Sequence, residues 1–385
     1  SSPRLVNIIN GTGIVLHTGL GRSPLSKKIA IESFDRIYPY SNLEFDVKNN
    51  LRGDRNSSIQ NLINPLMGSQ KAIVVNNCAA AVLLSLNTIS ENKEIIISRG
   101  QQVEIGGSFR IPEVILKSGC IMKDVGTTNK THPRDYQNAI NENSGAILYA
   151  HTSNYRVVGF TNEIKINELA KISKRNKIPL IVDAGSGCIA LFEKFNMPPE
   201  KTIKEYFKQG ADIVMFSGDK LLGGPQCGII AGKKKYIDMI KSNPLYRALR
   251  VDKFTFSLLE STLRTYISDT NFDDKNLSLN LLTRNREDLQ SMGLKVLKNI
   301  PSQLIKKYGI KLIDTMVEAG SGAMPINSLE SIGITFNKKN ISPNSISKKF
   351  RMASTPIIGY ISDDQYVIDL KAIPVDCTKN VTEII

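Results

Sequence analysis

The sequence predicts an α/β protein, with a mostly parallel sheet in a large domain and a smaller α+β domain at the C-terminus. Three observations carry that expectation. Short, nearly continuous apolar runs alternate with helical patterns through the middle of the chain, as strands covered on both faces require. Polar and glycine-rich residues follow several of these runs directly, where ligands gather in open α/β sheets. A polar stretch at residues 268–275 (SDTNFDDK) then precedes runs that alternate like strands with one wet face.

In chain order, residues 73–75 (IVV) read as a strand entering an Ala/Leu-rich helix from Cys78 to about Leu86. Residues 95–98 and 146–150 are strand-like. Residues 167–175 have a helical period, with Leu169, Ala170 and Ile172 as the apolar face. Residues 179–183, 212–217 and 228–231 are further short strands, and residues 254–266 a long helix. Residues 277–300 read as one more helix, leading to strands at 332–336 and 366–370. The expected division is therefore residues 1–270, an N-terminal segment plus the large domain, and residues 271–385, the small one.

Composition narrows the classes. Of 385 residues, 41% are hydrophobic and 22% charged, which excludes a disordered or collagen-like chain. No apolar run approaches the ~20 residues of a membrane span. No charged-then-apolar leader opens the chain, so a cytoplasmic location is expected. The five cysteines are odd in number and lack paired short spacing, which fits reduced thiols better than a disulfide frame or zinc site. His17 and His132 have no acid or cysteine at ligand spacing, and no metal is expected. The net charge of +14 fits nucleic acid, anionic substrates or a solvated basic surface. The lysine clusters at 233–235, 338–339 and 348–351 are too short and scattered to choose among these.

The chemistry lies after the apolar runs. Asp183 closes Ile-Val-Asp and is followed by Ala-Gly-Ser-Gly. Lys220 follows Phe-Ser-Gly-Asp, ahead of Leu-Leu-Gly-Gly-Pro. An acid and a lysine at neighbouring strand ends suit pyridoxal phosphate. The lysine amine forms a Schiff base with the cofactor aldehyde, and the carboxylate keeps the pyridine nitrogen protonated. Spacing alone also fits a helix cap and a surface lysine. Gly218, Gly223 and Gly224 favour the site, because they let the backbone approach a ligand closely.

The cofactor phosphate needs donors. Asn77, Cys78 and Ala79 open a helix with small residues, a ready anion site as well as an ordinary Asn cap. Ser217 can add a hydroxyl. His151, Thr152, Ser153 and Asn154 end the 146–150 strand and could touch the cofactor ring or its phenolic oxygen, although a lone histidine such as His151 carries little weight. Arg247 and Arg250 flank one helical turn at i, i+3, on one face, and Arg22 sits in Gly-Leu-Gly-Arg. With Arg52 and Arg55 they suit either a phosphate-like oxyanion or surface salt bridges. Gly11-Thr12-Gly13 lacks the third glycine of a dinucleotide fingerprint.

These motifs together resemble the bacterial L-seryl-tRNA(Sec) selenium transferases, which are fold-type-I pyridoxal-phosphate enzymes. The resemblance runs from NIINGTGIVLHTGLGRSPLS at Asn7 through NNCAAAV, SRGQQVEIGGSFRIPEV, HTSNYRVVGFT and VDAGSG. It continues through FSGDKLLGGPQCGIIAGKK and PLYRALRVDKFT to GSGAMP near Gly320, then weakens. It implies that Lys220 is the Schiff-base lysine and Asp183 the pyridinium partner. It further implies that Arg22, Arg247 and Arg250 bind the selenophosphate donor and that Asp219 serves the selenation step. The implied reaction eliminates water from seryl-tRNA(Sec) and adds selenium through an aminoacrylyl intermediate. The implied assembly is a homo-oligomer, a dimer at least, with a decamer in the family. Family members carry a further N-terminal domain that grips tRNA, whereas this chain begins at the equivalent of their catalytic core, so weakened tRNA binding is expected. The competing readings are a related lyase or aminotransferase acting on a free amino acid or amino sugar, and a non-catalytic RNA-binding scaffold.

Overall fold

The computed structural model describes residues 3–105, 109–152, 155, 157–267, 275–338 and 340–385. The chain divides into two compact units, Leu25–Asn276 and Ser1–Pro24 with Leu277–Ile385. The first 24 residues thus group with the C-terminal unit rather than with the large one, as had been expected. Hydrogen bonding explains the difference. Ile9–Asn10 pairs in parallel with Ile357–Ile358, Asp369 N donates to Gly11 O, and Leu16 N donates to Ala319 O. The expected boundary at residue 270 lies outside the described residues.

The large unit is built on seven strands: β1 (Lys71–Val75), β2 (Glu94–Ser98), β3 (Ile121–Val125), β4 (Ser144–Ala150), β5 (Leu180–Gly185), β6 (Ile213–Ser217) and β7 (Gly228–Gly232). Their order across the sheet is β1-β7-β6-β5-β4-β2-β3. Only β7 runs against its neighbours. Alternation within each strand sends successive side chains to opposite faces. Val74, Ile147, Tyr149, Val182, Val214 and Phe216 enter one buried cluster. Ile73, Val75, Leu148, Ile181, Ile213 and Met215 enter another. That double burial is why these strands read as unbroken apolar runs.

Strand β3 escaped the sequence reading because it is an edge. Ile121 is exposed and Lys123 and Asp124 half-buried, so the run is wet and charged, as edges commonly are. The single helix expected over 277–300 is two, Leu277–Thr283 and Arg286–Lys298. Asn285 caps the second by accepting from Asp288 N at 2.8 Å. The preceding Arg284 donates to Ile373 O and Asn280 Oδ1.

The small unit carries a four-stranded antiparallel sheet in the order β8-β9-β11-β10, formed by β8 (Lys311–Gly320), β9 (Ala323–Phe336), β10 (Tyr360–Ser362) and β11 (Gln365–Asp369). Asp369, at the end of β11, is fully buried. Its carboxylate accepts from Ser331 Oγ at 2.6 Å, Thr315 Oγ1 at 2.5 Å and Lys371 N at 2.9 Å. Lys371 Nζ donates to Arg284 O. Burial pushes the Asp369 carboxyl up and the Lys371 ammonium down to about 8. Gly13 lies against this carboxylate at φ +78°, where a Cβ would come within 2.8 Å of it. The N-terminal glycines therefore serve packing. Asp369→Ala leaves Lys371 and two hydroxyls without their acceptor and should cost this unit about 3–5 kcal/mol. Urea unfolding should show an earlier transition, and a loss under about 1 kcal/mol would contradict the role given to this carboxylate.

Candidate active site

Strands β1, β4, β5 and β6 all end on one edge of the sheet, and β7 begins there. Val75, Gly228 and Ser217 form one row across it. After Val75 the chain turns over Gly228 into helix α1 (Cys78–Ser90). A Cβ on Gly228 would lie 2.1 Å from Asn77 O, so only glycine admits this turn. Asn77 caps α1 by accepting from Ala80 N at 2.8 Å. The N–H groups of Cys78 and Ala79 stand at the open end of the helix, where its own geometry supplies no acceptor.

Asp183, buried near the end of β5, accepts from Gly185 N at 3.1 Å and from the Cys78 thiol at 3.5 Å. Burial raises this carboxyl above its ordinary range, opposed by the Gly185 N–H, the Lys220 charge and the thiol. The Cys78 thiol is pushed well above its own range by lost solvation and then by Asp183, while the Ser217 hydroxyl opposes the shift. Cys78 therefore stays a neutral donor.

Lys220 is also buried, on the loop after β6. Gly218 N donates to Cys227 O, Gly224 N to Gly218 O and Leu221 N to Ser186 O, which fixes the loop on both sides of the lysine. A Cβ on Gly218 would lie 2.4 Å from Cys227 Sγ. The neighbouring Asp219 is buried too, and its charge helps to raise the Cys227 thiol.

The structure thus brings Asn77, Cys78, Ala79, Asp183, Ser217, Asp219 and Lys220 to one sheet edge. His151 joins them, its main-chain N–H donating to Asp183 O at 2.8 Å. Burial lowers the imidazole, helped by the charges of Lys201 and Lys220. Ser153 lies outside the described residues.

The arginines are arranged differently from the expectation. Helix α2 (Pro244–Leu249) stops before Arg250, which is extended at φ −69°, ψ 146°. The two side chains therefore do not share a helical face. Arg247 stays exposed on the last turn of α2, whereas Arg250 bridges to Val75. Asn76 N donates to Leu249 O, so Arg250 is tied to the start of the 76–77 turn. Arg52 and Arg55 follow the salt-bridge reading. Both bind Glu44, with Arg52 Nη2 3.1 Å from Oε2 and Arg55 Nε 2.7 Å from Oε1. The Arg55 hydrogen bond is the main reason that the Glu44 carboxyl sits below its ordinary value. Arg22 belongs to the other unit and adopts φ +62° directly after Gly21 at φ +100°. A left-handed arginine costs roughly 1–2 kcal/mol, which singles the position out.

These residues fit pyridoxal phosphate. Among the described residues, both hydrogen bonds to the Asp183 carboxylate fall on Oδ1, which leaves Oδ2 able to accept a ring N–H. Open helix N–H groups and a buried lysine complete the donor set. Gly228→Ala should displace the 76–77 turn and weaken pyridoxal phosphate binding at least about tenfold, since the phosphate donors move together. Cofactor titration with circular dichroism as a folding control checks this, and unchanged affinity would refute the cradle.

The sequence pattern of the SelA family, L-seryl-tRNA selenium transferase, matches residues 8–374. The chain is 46% identical over 369 residues to an L-seryl-tRNA(Sec) selenium transferase of Caldanaerobacter subterraneus subsp. tengcongensis, covering 96% of this chain and 79% of that one. It is 40% identical to one from Geobacter sulfurreducens, covering 96% and 80%. Among solved structures it is similar to a D-glucosaminate-6-phosphate ammonia-lyase, with a TM-score of 0.66 at 16% identity over 99% of this chain and 95% of that one. An aspartate aminotransferase of Thermus thermophilus matches with a TM-score of 0.50 at 13% identity over 98% and 91%. These two likenesses bear on the fold alone, which is that of the fold-type-I pyridoxal-phosphate enzymes. The family pattern and the relatives reach nearly from end to end, and the chain belongs to the L-seryl-tRNA selenium transferase family.

Proposed function

We propose that the chain converts L-seryl-tRNA(Sec) to L-selenocysteinyl-tRNA(Sec) with selenophosphate as donor, and that the Asp183–Lys220 edge is where it does so. Membership of the family carries the reaction. The buried acid and lysine, electrostatically coupled at neighbouring strand ends, are the observation that supports the site. The related lyase or aminotransferase reading draws only on the fold, whereas relatives at 40–46% identity across the chain support the selenium transferase.

When bound, pyridoxal phosphate supplies an electron sink for loss of the seryl α-proton and β-hydroxyl. The chain's own groups do the rest. Lys220 Nζ would anchor the cofactor and would also be available as a base for the seryl α-proton. Asp183 Oδ2 accepts the ring N–H, which offsets the burial that otherwise raises this carboxyl. The Cys78 and Ala79 N–H groups, with Asn77 shaping the turn and the Ser217 hydroxyl, would hold the cofactor phosphate, and Ser153 is proposed as a further cofactor contact. Asp219 serves the selenation step. Arg22, Arg247 and Arg250 hold the phosphate portion of the donor through charge-assisted hydrogen bonds.

The same reading takes a cytoplasmic homo-oligomer, a dimer at least and a decamer by family resemblance. Among the described residues no helix is long and apolar enough to cross a membrane. The matched relatives are longer than this chain, which spans about four-fifths of their length.

Protein loaded with pyridoxal phosphate should show a visible absorbance band that disappears in Lys220→Ala, together with selenocysteinyl-tRNA formation. A retained band would misplace the lysine, and turnover of free serine without tRNA product would favour the lyase. Arg247→Ala should keep the band and raise the KM for selenophosphate about tenfold, the loss of one charged hydrogen bond. Loss of the band in that variant would place Arg247 at the cofactor instead.

A further inference from the structure

Three arginines meet at one carboxylate beside the proposed site. Glu44 precedes a two-residue strand pair, Phe45–Asp46 with Leu51–Arg52, in which Phe45 lies opposite Arg52. Gly53 N donates to Glu44 O at 2.9 Å, so the hairpin closes on the backbone of Glu44 itself. A Cβ on Gly53 would lie 3.2 Å from Asp46 N, a close approach that suits glycine.

The side chain is held just as firmly. Arg55 donates from Nε at 2.7 Å to Glu44 Oε1 and lies with Nη2 at 2.5 Å from the same oxygen. Arg55 is itself well buried, with its guanidinium 5.8 Å from the Phe256 ring centre. Its Nη1 donates to Val251 O at 2.9 Å, immediately beside Arg250. Arg52 Nη2 takes Oε2. The short bonds to Glu44 thus come from Arg55 and Arg52. Arg250 Nη1 stands 3.7 Å from Oε1, beyond hydrogen-bond length.

That difference in distance is informative. Arg250 is one-third exposed, and its backbone is pinned to Val75 at the mouth of the phosphate-binding turn. A free arginine side chain carries about 2 kcal/mol of rotamer freedom, which an anion would have to remove on binding. A fixed negative charge at 3.7 Å confines the guanidinium without occupying its donors. Three guanidinium groups against one carboxylate also leave the cluster with surplus positive charge.

We infer that Glu44 is a positioning residue for the selenium donor, holding the Arg250 guanidinium in the orientation that receives the donor phosphate. This rests on the proposed role of Arg250 in donor binding. Glu44 touches neither cofactor nor substrate in this scheme and acts only through Arg250.

The test is a double-mutant cycle in the cofactor-loaded enzyme, with selenophosphate varied at fixed seryl-tRNA(Sec). Glu44→Gln should raise the donor KM about fivefold and leave kcat within about twofold. In the Arg250→Ala background the same substitution should add nothing. An unchanged or lowered KM in Glu44→Gln overturns the inference, since a lower one means the charge competes with the donor. An equal rise in both backgrounds overturns it too, because Glu44 would then act through the hairpin as a whole. If Arg250→Ala leaves the donor KM unchanged, the reading of the donor site falls along with the inference. If Arg250→Ala raises it and Glu44→Gln does not, the inference alone falls. Should Glu44→Gln unfold the hairpin, Glu44→Asp, which keeps the charge but shortens the reach, should still raise KM and should lose that effect without Arg250.

Discussion

The close passage of the 76–77 turn over Gly228 is the constraint on which the rest of the site depends. Strand β7 runs against its neighbours, so its first residue lies between the last residues of β1 and β6. The turn leaving β1 must cross that residue, and a single added carbon would collide with the Asn77 carbonyl. Because it crosses there, Asn77 can cap α1, and Cys78 at the head of the helix reaches Asp183. The same strand end pairs with Arg250, so the head of α1 and this arginine share one support.

Two carboxylates beside this support show how environment divides one functional group into two roles. Asp183 is buried and, among the described residues, accepts from a backbone N–H and a thiol, and its protonated form gains accordingly. A cationic ring N–H is the partner such a group lacks. Glu44 is partly exposed, bound by Arg55 and Arg52, and held ionised below its ordinary range. One is suited to meet a cofactor and the other to organise arginines.

The central strands were legible because burial on both faces leaves unbroken apolar runs, and the site residues were legible because they follow those runs. Asp183, Ser217 and Lys220 all stand at strand ends that the pattern exposes. The wet edge strand β3 left no such run. Over 277–300 the leucines continue through a break that only Asn285 marks. Arg247 and Arg250 have helical spacing, but nothing local says that the helix stops between them. Glu44 was invisible for a different reason: its role comes from Arg55 and Arg250, which the fold brings from elsewhere in the chain. His151 lay in plain view at a strand end, but the burial and the Lys201 and Lys220 charges that lower its imidazole come only with the fold.

The pairing of Ile9–Asn10 with Ile357–Ile358 makes the small unit discontinuous in the chain. During synthesis its opening segment emerges first and then waits for a partner strand made near the end. Leu25–Asn276 is continuous and holds Asp183, Lys220 and the 76–77 turn, so it can condense while translation proceeds. The long sequence separation within the small unit places its closure among the slow events of folding. The order of translation thus favours a cofactor pocket that forms before the chain is complete.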